Sequence, residues 1–339
     1  MKRGSILIIT LWSLGMLTVF SVYLGFAVRQ KMVMMDRLDT EQQLRNIAES
    51  GARKAITQLR REDTTPDFDA LNEAWSENDS EFKEIPVGDG AFSVSYEYQQ
   101  NGERAVRYGL ADEERKINLN TAETDVIARI LEIAAGLPLE SAKSLAFCII
   151  DWKDEDTAFQ HPNYGAEDSD YRFMNPPYES KDSRFEMVEE LLLVKGMTTE
   201  IYERVRPYVT VYTEGPVNIN TAPQAVLAAL GMSEPLTKMI IAYRNGENET
   251  IGTADDNVFE GPERIVSQLS QVSKMSPSET AELSNLVSEG IFVTRSENFM
   301  VQSAAELGTG KPVSVRVEAV VTRNGQVLHW KETEQVGRI

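Results

Sequence analysis

The sequence predicts an α+β protein in which a long N-terminal helix packs on an antiparallel sheet, and a large all-α insertion interrupts that sheet. Three observations predict this fold. An uncharged apolar segment at the N-terminus continues into an amphipathic helical pattern, strand-like segments stand before residue 111 and after residue 289, and the residues between them show helical periodicity. A chain of 339 residues can bury such a core without disulfides. Cys148, the only cysteine, stands in an apolar run and is expected to be buried.

Residues 5–28 are expected to form a transmembrane helix, because they are apolar and contain no charged side chain. At about 1.5 Å per residue this helix spans about 36 Å, which is enough to cross a bilayer. The basic flank in residues 1–4 predicts a cytoplasmic N-terminus, with the rest of the chain outside. A secretory signal peptide is the alternative. Its usual apolar core is shorter, and no small-x-small cleavage site follows the segment.

Residues 29–62 continue the helix in an amphipathic form. Apolar and small residues recur every three or four positions, which predicts one apolar face that continues to about Arg61 before Pro66 ends the helix. This outer half requires a partner surface, and we expect the protein's own sheet to provide it. The predicted face consists of Leu38, Leu44, Ile47, Ala48, Gly51, Ala52, Ala55, Ile56 and Leu59.

Two separate parts of the chain are expected to form one antiparallel sheet. The first part, residues 63–110, contains a linker and a hairpin whose strands, 91–98 and 105–110, flank a turn at Asn101 and Gly102. The second part, residues 290–339, contains the strand patterns 291–294, 299–304, 313–322 and 326–332, the last two joined by a turn at Asn324 and Gly325.

The insertion, residues 111–289, contains an internal repeat. Ile-Asn-Leu-Asn-Thr-Ala at residues 117–122 returns as Val-Asn-Ile-Asn-Thr-Ala at residues 217–222, and each copy precedes an apolar helix, a glycine turn and a second helix. Residues 188–208 form a third related unit. The pattern predicts helix-hairpin-helix-like units in which Thr121 and Thr221 are helix N-caps.

The charge distribution argues against nucleic-acid binding by these units. The net charge is −19, and residues 111–289 carry 32 Asp and Glu against 15 Lys and Arg. A polyanion is repelled by such a surface. The first two hairpin turns lack an adjacent basic residue, and Lys195 is the only cation at the third. A structural scaffold is therefore favoured.

The segment 151–171 is rich in carboxylates and turn-forming residues. Such a loop can surround a hard cation with oxygen ligands, and calcium suits it best because calcium accepts six to eight oxygens in flexible geometry. A solvated acidic loop is the alternative. Zinc is disfavoured because His and Cys are scarce, and the spacing does not match an EF-hand. A second acidic stretch, residues 255–257 with Glu247 and Glu249, is interpreted as a solvated loop.

No enzyme motif is present in the sequence. There is no Gly-x-Ser-x-Gly elbow, and residues 308–311 lack the spacing of a phosphate-binding loop. The two histidines, His161 and His329, are far apart in the chain. We therefore expect no enzymatic activity.

The N-terminus resembles the signal of type IV pilin-like proteins, because a short basic leader ends in Gly4 ahead of the uncharged helix. The resemblance implies cleavage after Gly4 by a prepilin peptidase and a new terminus at Ser5, which is usually methylated and usually bulkier. Most members carry Glu at the fifth mature position, where it pairs with a neighbouring subunit. Here that position is Ile9, a replacement typical of the K-type minor pseudopilins of the type II secretion system (the GspK family).

Other blocks resemble the same K-type family. They are Leu11-Trp12, Asp151-Trp152 with Asp154 and Asp156, residues 165–168, 176–178, 188–191, 194–197 and 202–209. The resemblance implies a pilin-like fold and a calcium site for one or two ions. Its implied ligands are among Asp151, Asp154, Asp156, Glu167, Asp168 and Asp170.

The resemblance also implies a role and a location. The role is to cap the tip of a periplasmic pseudopilus and to initiate its assembly, in a heterotrimer with I-type and J-type minor pseudopilins that then contacts the major pseudopilin. The location is the bacterial inner membrane, crossed once, with the C-terminal body in the periplasm. Three further hypotheses remain: a minor pilin of a type IV pilus or DNA-uptake machine, a membrane-anchored DNA-binding module, and direct contact of the acidic insertion with secreted cargo.

Overall fold

The structure is a computed structural model that describes residues 3–62, 68–100, 103–308 and 313–336. The helices are α1 (Arg3–Glu62), α2 (Asp79–Phe82), α3 (Thr124–Ala135), α4 (Leu139–Lys153), α5 (Asp168–Tyr171), α6 (Thr199–Val205), α7 (Gln224–Ala229), α8 (Glu234–Arg244), α9 (Ile265–Val272) and α10 (Pro277–Ser288). The strands are β1 (Ile85–Val87), β2 (Gly90–Val94), β3 (Tyr96–Gln100), β4 (Glu103–Arg107), β5 (Ala111–Asp112), β6 (Ile117–Asn118), β7 (Val209–Thr210), β8 (Val217–Asn218), β9 (Phe292–Val293), β10 (Asn298–Leu307), β11 (Val313–Thr322) and β12 (Val327–Val336).

Helix α1 is a continuous helix of 60 residues. Its N-terminal part is long and apolar enough to cross a membrane, and no other described part of the protein buries its most apolar window. Ile9 lies in this bare part and is 62% exposed. Met1 and Lys2, and Pro66 at the predicted helix end, lie outside the described residues.

The outer half of α1 packs on the sheet, as its apolar face predicts. Leu44, Ala48, Ala52 and Leu59 have no exposed surface and pack with Phe92, Val301 and Val317 of the sheet, among others. Gly51 permits the close approach, because a Cβ atom there would lie 2.6 Å from Cδ2 of Phe92. The prediction for Leu38 was wrong, since this side chain is 53% exposed. Buried positions on α1 begin at Leu44, so the sheet does not reach Leu38.

The sheet has the order β1-β2-β10-β11-β12, and β5 pairs with β10 beyond the end of β2. All of these pairings are antiparallel. Strands from both sides of the insertion therefore form one sheet, as expected. Strand β5 stands just inside the predicted insertion boundary at residue 111, yet its register with β10 places it in this sheet.

Two strand predictions need correction. The predicted strand 91–98 divides at Ser95, whose N–H donates to the carbonyl of Gln302 (3.0 Å). Strand β2 pairs with β10, whereas β3 leaves that sheet and pairs with β4; the turn at residues 101–102 lies outside the described residues. The predicted strand 291–294 contains β9, which pairs in parallel with β8 of the insertion and not with the antiparallel sheet.

The insertion has its own hydrophobic core, and the Asn-x-Asn repeats organise it. The Oδ1 atoms of Asn118 and Asn218 accept hydrogen bonds from the N–H groups of Asn120 (2.7 Å) and Asn220 (2.9 Å). Each turn gives a hydrogen-bond acceptor to a backbone N–H group just before a helix. The helices then begin at Thr124 (α3) and at Gln224 (α7). The prediction that Thr121 and Thr221 are N-caps was therefore wrong. The N-caps are Glu123 and Pro223.

Buried polar contacts fix the insertion to the sheet. Oδ2 of Asp112 accepts hydrogen bonds from Nδ2 of Asn218 (3.1 Å), Oγ1 of Thr221 (2.5 Å) and Oγ of Ser296 (2.7 Å). Asp69, which follows α1, pairs with Arg323 in the turn between β11 and β12 (2.5 Å). Gly325 of the same turn lies against Arg60 near the end of α1. The insertion is thus attached near the end of α1 that is far from the apolar N-terminal segment.

Candidate metal centre

The acidic loop is fastened to α4 by Asp151, which is fully buried. Its Oδ1 accepts a hydrogen bond from the N–H of Gln160 (3.2 Å) and its Oδ2 from the N–H of Ala166 (3.0 Å). Gly165 has a positive φ of 107°, and a Cβ there would collide with the Asp151 carboxylate. Both oxygens of Asp151 thus hold the loop in place.

Three carboxylates of this loop converge. One oxygen from each of Asp154, Asp156 and Glu167 lies within 4.8 Å of the other two. Asp156 is exposed, Asp154 is half-buried, and Glu167 is only 3% exposed. The cluster therefore has one side open to solvent and one side closed by the protein.

Several carboxylate oxygens around this cluster are buried without a hydrogen-bond donor among the described residues. They are Oδ1 of Asp154, both carboxylate oxygens of Glu167, and Oδ1 of Asp182. Burying an ionised oxygen without a partner is strongly unfavourable. A cation bound in the cluster would provide a partner for the oxygens of Asp154 and Glu167, and the charge of Asp182 lies close enough to raise the pKa of both groups.

The pKa shifts of these carboxyl groups also favour a bound cation. Burial, followed by the charges of Asp151, Asp154, Asp182 and Asp156, raises the pKa of Glu167 from 4.5 to about 7. Burial also raises the pKa of Asp151 to about 6 and shifts the pKa of Asp154 upward. Like charges disfavour the ionised form of each carboxyl group, and a cation between them would reverse that effect.

The donor set fits calcium. All of the converging atoms are carboxylate oxygens, and calcium accepts six to eight such ligands, some of them backbone carbonyls or waters. The imidazole of His161 is used elsewhere, stacked on Tyr164 with ring centroids 4.6 Å apart. Zinc, which prefers His and Cys ligands, does not fit this cluster.

The remaining two predicted ligands have protein partners. Oδ1 of Asp168 accepts hydrogen bonds from the N–H (3.0 Å) and Oγ (2.9 Å) of Ser180. Asp170 pairs with Lys195 (2.6 Å) and accepts a hydrogen bond from the N–H of Glu167 (3.3 Å). Of the six predicted residues, the structure thus brings three together, and it gives Asp151, Asp168 and Asp170 roles in holding the loop.

The basic residues that reach two of the helix-hairpin-helix-like turns have protein partners. Gly136, Gly196 and Gly231 all have the positive φ of a tight turn. Lys195 at the third turn is occupied by Asp170. Arg129 reaches the second turn region, but its Nε donates to the carbonyl of Ala229 (2.6 Å). These turns join helical units to one another, and the scaffold interpretation remains a prediction.

Comparison with known proteins agrees with this architecture. Residues 108–214 match the family model "Type II secretion system (T2SS), protein K". The chain is also 28% identical over 253 residues to the type II secretion system protein K of Pseudomonas aeruginosa, a match that covers 69% of each chain. Both matches support a K-type minor pseudopilin.

The fold of a K-type protein is shared across most of the chain. A chain in the crystal structure of the GspK-GspI-GspJ complex from the type 2 secretion system of enterotoxigenic Escherichia coli covers 89% of this protein, with the whole of that chain matched. The TM-score is 0.59 and the sequence identity 20%. The K-type protein described here is a minor pseudopilin, a structural component of protein secretion, and its apolar N-terminal helix fits a membrane anchor.

One carboxylate near the cluster belongs to no motif in the sequence. Asp182 follows the acidic loop by more than ten residues, and no motif marks it. The fold returns it to the cluster, because its N–H donates to the carbonyl of Trp152 (3.2 Å) and its φ is positive, at 50°. A positive φ at a non-glycine residue is uncommon and indicates local constraint.

Proposed function

We propose that this K-type pseudopilin caps the tip of the periplasmic pseudopilus and initiates its assembly. Ile9 is the observation that carries the proposal. Residues 5–28 contain no carboxylate at all, and an unmatched amino terminus of another subunit is expensive to place in the apolar layer. A subunit without a carboxylate in this layer is suited to the end of a fibre.

The position of the insertion supports the same role. It is attached near the outer end of α1 through Asp112, Asn218 and the Asp69–Arg323 pair. A body of this size beyond the helix end obstructs the stacking of a further subunit above it. The molecule can therefore contact the subunits below it in the fibre, but it leaves no surface on which a further subunit could stack above it.

The partners follow from the same proposal. The structural neighbour comes from a complex of GspK with GspI and GspJ, which supports I-type and J-type minor pseudopilins as partners here. The bare part of α1 is available for helix packing with them and with the major pseudopilin. In this arrangement the helix crosses the inner membrane once and the body lies in the periplasm.

Processing of the N-terminus belongs to this proposal. Prepilin peptidase would cleave after Gly4 and leave Ser5 as the terminus, which is then methylated. Intact mass analysis of the chain, produced with and without the peptidase, would show the loss of residues 1–4. A chain that keeps its leader, or loses the whole apolar segment, would contradict the proposal.

Direct localisation tests the tip role. Pseudopili assembled with an epitope-tagged copy of this chain should carry the tag at one end, with one copy in each fibre. Deletion of the chain should reduce the number of fibres more than their length, because initiation is lost. A tag distributed along the fibre shaft would contradict the tip role.

We further propose that Asp154, Asp156, Glu167 and Asp182 hold calcium, as one or two ions. The unpaired buried oxygens of Asp154, Glu167 and Asp182 support this proposal. Calcium would stabilise the folded loop, since a ligand that binds only the folded state adds about 2.7 kcal/mol at a hundredfold excess over Kd. The full-length chain in detergent should show a higher Tm in calcium than in EDTA, with magnesium less effective. An unchanged Tm would remove the calcium claim and leave the tip role standing.

A further inference from the structure

A cleft of about 510 Å³ lies between the insertion and the face of the sheet that α1 does not cover. Its sheet wall includes Gln302 of β10 and Glu318 of β11, which alternate with the residues buried under α1. Its other wall includes Arg206 and Tyr212. The volume is within the range of small-ligand sites, about 300–1,000 Å³.

Arg115 lines this cleft and is only 5% exposed. Its guanidinium carbon lies 5.0 Å from the ring centroid of Tyr98 and 5.7 Å from that of Tyr96. Its Nε and Nη1 atoms are buried and have no hydrogen-bond partner among the described residues. Aromatic faces attract a cation only weakly compared with a carboxylate, so this charge is poorly compensated.

A second buried guanidinium increases the local positive charge. Arg244 donates to the carbonyl oxygens of Ile219 (3.2 Å) and Ala222 (2.6 Å) and to the hydroxyl of Tyr98 (3.4 Å). Tyr98 thus contacts both arginines. In the part of the chain that the structure describes, neither arginine has a carboxylate within ion-pair distance.

The carboxylates that line the cleft are already matched by other cations. Glu113, Glu189 and Glu318 each have a partner, so they do not compensate Arg115. The three ion pairs are Glu113–Lys116, Glu189–Lys331 (2.6 Å) and Glu318–Arg206 (3.0 Å). Glu97 and Glu203 are exposed at the margin, where water and salt screen them. Arg115 therefore has no ion-pair partner among the described residues that line the cleft.

We propose that this cleft binds a carboxylate group, with Arg115 as the anchor. The carboxylate belongs either to a small free acid or to an acidic side chain of a bound peptide. An arginine binds a carboxylate with paired, charge-assisted hydrogen bonds, and no carboxylate among the described residues forms an ion pair with Arg115. Neither the tip role nor the calcium site uses this cleft, so the proposal stands apart from both.

The test measures binding of two probes by the full-length chain in detergent with calcium present. The probes are glutarate and the blocked tripeptide N-acetyl-Gly-Glu-Gly-amide, each compared calorimetrically with sodium chloride at equal ionic strength. At least one should bind saturably, and Arg115→Gln should weaken that binding by about tenfold or more, as loss of the anchoring pair requires. The matched control, Arg264→Gln, changes an exposed arginine outside the cleft and should bind as the wild type does. Tighter binding of the peptide indicates an acidic side chain as the natural ligand, and tighter binding of glutarate indicates a free acid.

A measurement on the wild type covers the case in which Arg115→Gln does not fold. Amide hydrogen exchange should slow on addition of the probe in the segments 113–117 and 203–212, which border the cleft. The proposal fails if neither probe binds, if Arg115→Gln binds as tightly as the wild type, or if exchange slows only elsewhere.

Discussion

At the scale of single residues, the role of each carboxylate in the acidic loop depends on whether its oxygens already accept hydrogen bonds from the protein. Asp151, Asp168 and Asp170 accept hydrogen bonds from backbone or side-chain donors on both sides of the loop. Glu167 and Asp182 have buried oxygens with no donor among the described residues. The same residue type therefore fastens the loop at some positions and is available to a cation at others.

Asp182→Asn should weaken calcium binding by about tenfold or more, because one charged oxygen ligand becomes a neutral amide. The measurement is calcium titration of the full-length chain, followed by Tm. Glu155→Gln is the matched control, since it removes one charge from an exposed residue of the same loop. Equal calcium affinity in Asp182→Asn and Glu155→Gln would exclude Asp182 from the site.

At the scale of elements, the contact between α1 and the sheet depends on the absence of a side chain at Gly51. Phe92 occupies the space in which a Cβ would stand, at 2.6 Å from its Cδ2. The helix and the sheet are therefore closer here than larger residues allow.

Gly51→Ala should destabilise the protein by about 1–3 kcal/mol through overpacking, although alanine is the better helix former. Urea unfolding of the full-length chain in detergent would measure the loss. Gly15→Ala is the control, because its Cβ meets nothing within 4 Å. A Gly51→Ala variant as stable as Gly15→Ala would mean that the helix and sheet are not in tight contact.

The Asn-x-Asn repeats connect each unit to a distant loop in the same way. The side chain of Asn120 exchanges two hydrogen bonds with the backbone of Phe185 (3.0 and 2.8 Å). Asn220 does the same with Phe259 (3.0 and 2.9 Å). Asn220 is buried, whereas Asn120 is partly exposed.

Asn220→Ala should therefore cost about 2–3 kcal/mol, because two buried backbone groups lose their partner. Asn120→Ala should cost less, since water can reach part of that site. Chemical denaturation of the two variants side by side would measure the difference. A larger loss in Asn120→Ala would contradict the role assigned to burial.

The sequence predicted those elements whose pattern is periodic along the chain. The face of α1 follows from a 3.6-residue period, and β10, β11 and β12 follow from alternation and turn residues. The break at Ser95 was missed because both halves alternate as one strand, and only the pairing partners differ. The roles of Asn120 and Asp182 depend on residues distant in the chain, Phe185 and Trp152, which no local pattern reveals.

At the scale of the whole molecule, buried carboxyl groups join the insertion to the sheet. Glu114 accepts hydrogen bonds from Nδ2 (2.8 Å) and N–H (3.1 Å) of Asn298 and lies beside Asp112. Burial, followed by the charge of Asp112, raises the pKa of Glu114 well above 4.5. The folded state thus holds a proton that the unfolded chain releases at lower pH.

Glu114→Gln should become more stable relative to the wild type as pH rises. Because the pKa of Glu114 is raised in the folded state, the wild type has its full stability from this group below the ordinary pKa of 4.5. That contribution is lost as the pH rises through the pKa of the folded state. The amide variant has no such loss, and rotation of the Asn298 amide lets it keep both hydrogen bonds. Urea unfolding from about pH 5 to about pH 8 would record the two curves. Glu297→Gln, an exposed neighbour, should follow the wild type, and parallel curves for Glu114→Gln would refute the prediction.

Ile9 determines how the whole molecule enters a fibre, so its substitution tests assembly and not folding. Ile9→Glu supplies the carboxylate that residues 5–28 lack, and a charge in the apolar layer is tolerated only where it is paired. In the tip position no upper subunit offers an amino terminus, so the variant should initiate fewer pseudopili and secrete less protein. Ile8→Glu is the matched control for the charge itself, because it places the same unpaired charge in the apolar layer one residue away from position 9. If the variant carrying Glu at position 9 instead enters the fibre shaft in many copies, the missing carboxylate is what keeps this subunit at the end. Normal fibre number and tip location in Ile9→Glu would show that the steric bulk of the insertion, and not Ile9, sets its place.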